Sequence, residues 1–119
     1  MKPLPDKYRH DLAIIRETAE QIMRDLSIEN SEIHLSGNDN AFEELKMQLS
    51  PIILRLFKED PVSFRAMLYK VDINERDYKK TLNREQKLLF EDELAELIIR
   101  REFQKVITRK YFSDKSKDL

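Results

Sequence analysis

Residues 83–112, NREQKLLFEDELAELIIRREFQKVITRKYF, form a long helical pattern that contains neither glycine nor proline. Advancing about 100° per residue from Leu94 places Phe90, Leu94, Leu97 and Ile98 in one apolar stripe. Leu88, Ala95, Ile99, Phe103 and Val106 fall in a second stripe about 120° away. A helix that is apolar on two sides is contacted from two sides, so this segment is expected to be the central member of a helical bundle. Past Ile98 the first stripe turns basic: its next positions are Arg101, Lys105 and Arg109, spaced i, i+4, i+8. Charge is segregated along the segment as well. Residues 84–99 carry five acids against two bases, and residues 100–112 carry five bases against one acid, Glu102. Acids first and bases last complement the helix dipole, worth about 0.3–1 kcal/mol per charge in the terminal turns.

The segments that precede this helix are punctuated by capping signals. Asn83 with Gln86, and Asn74 with Asp77, repeat the capping arrangement, and a short fourth helix fits between them, ending near Leu82. Asp60-Pro61 pairs an N-cap with proline at the first helical position and opens a third helix, with Phe64, Met67, Leu68 and Val71 on one face. Asp39 or Asn40 caps a second helix, in which Phe42, Leu45, Leu49, Ile52 and Leu56 repeat the heptad spacing. Met47 and Leu54 lie on another side of it, and Pro51 is expected to kink or restart it. Residues 28–40, IENSEIHLSGNDN, are the main break. Ile33 to Leu35 could run extended, but no partner strand is visible, so the stretch reads as loop. Asp6 is the expected N-cap of a first helix reaching Leu26, with Tyr8, Leu12, Ile15, Ala19, Ile22 and Leu26 as its seam. Three heptads suit an intramolecular bundle better than a long coiled coil.

The expected architecture is therefore all-α: one domain over residues 1–112, about five helices, with the 83–112 helix at its centre. Residues 113–119, SDKSKDL, are small and charged and are expected to form a disordered tail. Residues 68–73 (LYKVDI), 94–98 (LAELI) and 104–109 (QKVITR) resemble a set of short, uncharacterised all-helical bacterial proteins. That resemblance spans the C-terminal half and implies a helical fold, with no activity attached.

Composition removes several classes of chemistry. The chain of 119 residues has no cysteine, hence no disulfide, thiol nucleophile or cysteine metal site. Its single glycine, Gly37, excludes glycine-rich phosphate loops and dinucleotide fingerprints. At 38% charged residues and a net charge of −1, the helices have solvated outer faces but no global field to attract nucleic acid or an anionic membrane. The start, MKPLPDKY, lacks the apolar region of a signal peptide, and no run approaches a membrane span, so a soluble cytoplasmic protein is expected.

No constellation for catalysis stands out. His10 and His34 have Lys7 and Ser31 three residues before them, so neither belongs to a helical Glu-x-x-His metal motif. Asp72-Ile73-Asn74 begins like a calcium loop but lacks its glycine and terminal glutamate. Glu17 with Glu20, and Glu93 with Glu96, form two E-x-x-E pairs, similar to those of the all-α Mg²⁺-dependent nucleotide pyrophosphatases. Glu17 points about 160° away from the first helix's seam, which argues against convergence across a core. No cofactor, no metal and no catalytic residue is therefore assigned.

The basic ridge is the sharpest functional candidate. Arg101, Lys105 and Arg109 could grip an acidic protein partner or a nucleic-acid backbone, with Tyr111 and Phe112 nearby for stacking. A helix of this length spans roughly 40 Å, against a globule of about 35 Å. Its basic half should then project, leaving Phe103, Val106, Ile107 and Tyr111 to be covered by a second copy or another protein. The expected function is a non-enzymatic interaction or adaptor module, self-associating. Polyanion binding through the ridge and Mg²⁺-dependent nucleotide hydrolysis through the E-x-x-E pairs are the alternatives.

Overall fold

In a computed structural model, residues 11–28, 33–37, 40–82 and 89–117 are described, with side chains up to Lys110. They form five helices: α1 (Leu12–Asp25), α2 (Ala41–Glu59), α3 (Pro61–Val71), α4 (Glu75–Thr81) and α5 (Phe90–Lys117). No strand occurs among the described residues. Three of the helices start where a side chain satisfies their first amides, whereas Asn40, expected as a possible cap of α2, makes no side-chain cap bond there. Asp11 accepts from the amides of Ala13 and Ile14, Asp60 from that of Ser63, and Asn74 from that of Asp77. Asp6, Tyr8 and residues 83–88 lie outside the described residues, but the first helix does not run unbroken from Asp6 as expected: Asp11 is extended and is itself the N-cap from which α1 starts. Within the described part, α5 begins at Phe90, with the Leu89 carbonyl accepting from the amides of Asp92 and Glu93.

Pro51 does not restart α2, which is one helix through it. Proline removes one hydrogen bond, but Leu49, Ile52 and Ile53 around it are buried and hold both halves against the core. The loop after α1 is fastened by side chains rather than by a strand. Gln48 accepts from the His34 amide and donates to the His34 carbonyl, both at 2.7 Å, the two bonds a neighbouring strand would make. Beside it Glu44 accepts from the Ser36 amide and hydroxyl, and those bonds hold its carboxyl below the ordinary range. Ile33 is thereby pressed into the core.

α5 is the centre, as expected from its two stripes. Leu94, Ala95, Ile98 and Ile99 are buried on both faces, against Leu45, Leu49 and Ile53 of α2, Met67 and Val71 of α3, and Ile22 of α1. Each fully buried Leu or Ile contributes about 1.5–3 kcal/mol by leaving water. Two expectations about the second half of α5 need correction. Phe103 and Val106 do not wait for a second copy: they are 0% and 1% exposed in the single chain, packed with Ile14 and Ile15 of α1 and with Ala41. Ile107 is half-buried against the same cluster, and the side chain of Tyr111 lies outside those described. The expectation failed because it treated the molecule as a sphere. The chain measures 47 × 31 × 27 Å, long enough for a helix of 28 residues, about 42 Å. The second correction concerns the tail, since α5 runs on to Lys117 through residues 113–117, which contain no helix breaker.

A candidate anion-binding groove between the first and last helices

α1 runs antiparallel to the second half of α5, and polar pairs mark the register. Lys110 lies 3.1 Å from Glu17, Arg109 donates to Gln21 at 2.9 Å, and Lys105 lies 3.7 Å from Asp25. This packing brings the three ridge cations to one groove of about 440 Å³, lined by Gln21, Arg101, Gln104, Lys105, Thr108 and Arg109. Every lining side chain bears an N–H or O–H donor, three are cations, and none is a carboxylate.

The cations differ in how they are held. Arg101 reaches Asp72 at 2.7 Å. Asp72 caps α3 in the left-handed conformation, φ 66°, which a short polar side chain tolerates. Lys105 is half-buried and donates to Glu102 Oε1 at 3.1 Å and to the Lys70 carbonyl at 3.0 Å. Arg109 is exposed and meets the neutral Gln21. The ridge expected at the edge of the core is thus set into it at Lys105 and open at Arg109. The sequence places the three cations on one face. It does not show that α3, its cap Asp72 and α1 supply oxygen atoms to all three.

Beneath Lys105 lies the residue that charge counting passed over. Glu102 is 0% exposed. Burial pushes its carboxyl up to about 7; the neighbouring Asp25 carboxyl raises it further, and Lys105 works in the opposite direction. A signal was present in the sequence: Glu102 falls about 80° from Leu94, between the two apolar stripes. The other half of the site, Asp25, stands next to the seam residue Leu26 at the end of α1.

The E-x-x-E pairs have other neighbours. Glu17 pairs with Lys110. Glu96 pairs with Arg100 at 2.7 Å and Lys46 at 3.5 Å. Burial opposes the charge on Glu96, yet those two cations hold its carboxyl below the ordinary range. Glu93 and Glu96 open onto a hollow beside α4 with Lys80 and Arg100, whereas Glu20 lines one beside His34. No three potential metal-ligating side chains of His, Cys, Asp or Glu converge among the described residues. His34 is exposed and His10 lies outside the described residues.

α3 also shows a second, outward stripe. Val62 and Tyr69 are 71% and 88% exposed, with the exposed Ala66 between them, while Phe64, Met67 and Val71 are buried on the opposite face. Among the described residues no helix is long and apolar enough to cross a membrane. No family model, curated protein or solved structure matches the chain.

Proposed function

We propose that the chain is a non-enzymatic interaction module that takes an acidic segment of a partner protein into the groove between α1 and α5. One observation carries this reading: six donor-bearing side chains from two helices face a shared space, three of them cationic and none acidic. Charge-assisted hydrogen bonds from such donors to a carboxylate are about twice as strong as neutral ones. The grip is short, because Arg101 and Lys105 already share their charge with Asp72 and Glu102. A groove of this kind suits one or two carboxylates better than the long phosphate run of a nucleic acid, which rewards many unpaired cations.

The test is fluorescence anisotropy with a labelled octa-aspartate peptide and with a DNA duplex of equal charge. The wild type is expected to bind the peptide more tightly than the duplex, and the Arg101→Gln, Lys105→Gln, Arg109→Gln triple variant is expected to lose the peptide. A wild type that ignores the peptide, or a folded triple variant that binds it unchanged, refutes the reading. A preference for the duplex would make the groove a nucleic-acid site instead.

Self-association is the second reading, and the exposed Val62–Ala66–Tyr69 stripe supports it. Sedimentation equilibrium of the wild type and of Tyr69→Lys tests it. The wild type should sediment as a dimer and the variant as a monomer, and a monomeric wild type at tens of micromolar removes the idea.

A further inference from the structure

We propose that Asp25 and Glu102 together form a proton-binding site, and that the proton held there opens the groove to anions by removing one negative charge from beneath Lys105. This inference rests on the groove being an anion site. The two carboxyls come from α1 and α5 and converge on one ammonium, Lys105 Nζ, which lies 3.1 Å from Glu102 Oε1 and 3.7 Å from Asp25 Oδ2. Asp25 Oδ2 and Glu102 Oε2 are both buried, and neither accepts a hydrogen bond among the described residues, although Lys105 stands within ion-pair distance of Asp25 Oδ2. Two ionised carboxylates in contact offer only acceptors to each other. A single proton on Glu102 turns the contact into an O–H···O⁻ bond, among the stronger hydrogen bonds a protein makes.

Among the described residues the charged groups that act on Glu102 are Asp25 and Lys105. From α1 comes Asp25, whose Oδ1 accepts from Gln21 Nε2 at 3.1 Å. From α5 comes Lys105. α3 contributes the Lys70 carbonyl, which accepts from Lys105, and Asp72, which is engaged by Arg101. One ammonium thus stands against two carboxylates. Burial first, and then Asp25, push Glu102 up to about 7, so the proton exchanges near neutral pH.

Two routes connect this pair to the groove. Lys105 lines the groove and touches Glu102, and Gln21 lines it while joining Asp25 to Arg109. With Glu102 ionised, Lys105 faces two carboxylates and its charge is drawn inward. With Glu102 protonated, the floor of the groove is one unit more positive. An anion in the groove then favours the proton, and by reciprocity the proton favours the anion to the same degree.

The experiment pairs carboxyl-carbon NMR of Glu102 with binding of the octa-aspartate peptide at pH 6 and pH 8. The peptide stays ionised over that range, because a free aspartate titrates near 3.9. Glu102 should titrate near neutrality, and the wild type should bind about five-fold or more tightly at pH 6 than at pH 8, the lower end of usual coupling between sites. Glu102→Gln keeps the shape and donates permanently to Asp25, so it should bind at pH 8 as tightly as the wild type does at pH 6. Asp25→Asn is a second variant, in which the Glu102 midpoint should fall. A Glu102 midpoint in the ordinary carboxylate range overturns the proton site whatever the groove binds. Equal wild-type affinities at the two pH values overturn the coupling. Absence of peptide binding at both pH values overturns the proposed function and the coupling with it. It is told apart from failure of the proton site by a Glu102 midpoint that remains near neutrality.

Discussion

At the scale of single residues, Glu102 carries the largest consequence. A buried carboxyl at about 7, against an ordinary 4.5, binds a proton in the folded chain that the unfolded chain releases. The native state therefore holds more protons between those two values, and stability falls as pH rises through that window. The full loss is on the order of 3 kcal/mol. Urea unfolding should give a higher midpoint at pH 5.5 than at pH 8, and Glu102→Gln should be the more stable protein at pH 8 and nearly flat between the two. An unchanged slope in the variant would show that other groups set it. The lowered carboxyls act with the opposite sign and in a different range. Glu44, Asp60 and Glu96 are held below their ordinary values, so their stabilisation is present above those values and is lost on strong acidification. Lys105→Gln leaves ionised Glu102 without its cation, and should cost about 1–3 kcal/mol at pH 8 and less at pH 6. Equal costs at both pH values would mean that Lys105 and Glu102 are not coupled.

Among the helices, α5 is held by different partners along its length. Its first half packs on α2 and α3 around Leu94 and Ile98, and its second half on α1 around Phe103 and Val106. Leu94→Ala should cost about 2–5 kcal/mol and Phe103→Ala about 3–5 kcal/mol, the usual cost of emptying such sites. Because α1 covers Phe103 within one chain, the urea midpoint of Phe103→Ala should fall without becoming dependent on protein concentration. A midpoint that shifts with concentration would show that a second copy supplies the cover after all. The polar pairs along α1 and α5 align the two helices, but exposed pairs such as Glu17 with Lys110 are each worth little. Apolar burial supplies the strength of the contact.

For the whole molecule, the net charge of −1 sets the character of binding. No overall field steers an acidic partner in, so attraction comes from the groove alone and acts over about a Debye length, roughly 10 Å at 0.1 M salt. Affinity for the octa-aspartate peptide should drop several-fold when salt rises from about 0.05 to 0.5 M, as measured by the same anisotropy titration. Affinity that is indifferent to salt would point to an apolar partner, and so to the outward stripe of α3.

Periodicity and capping depend on neighbours close along the chain, which is why they were legible from the residues alone. The two stripes of α5 foretold its central place, Asp60-Pro61 and Asn74 marked the starts of α3 and α4, and the spacing of Arg101, Lys105 and Arg109 put them on one face. What α1 does was not legible, because its position along α5 depends on contacts between residues about ninety apart in the chain, as with Gln21 and Arg109. Only that docking buries Phe103, closes the groove and sets Asp25 against Glu102. A carboxylate in a charged sequence counts as solvated until a second helix takes its water away. Residue order determined that Glu102 would face inward, and tertiary packing decided that it would meet another acid there.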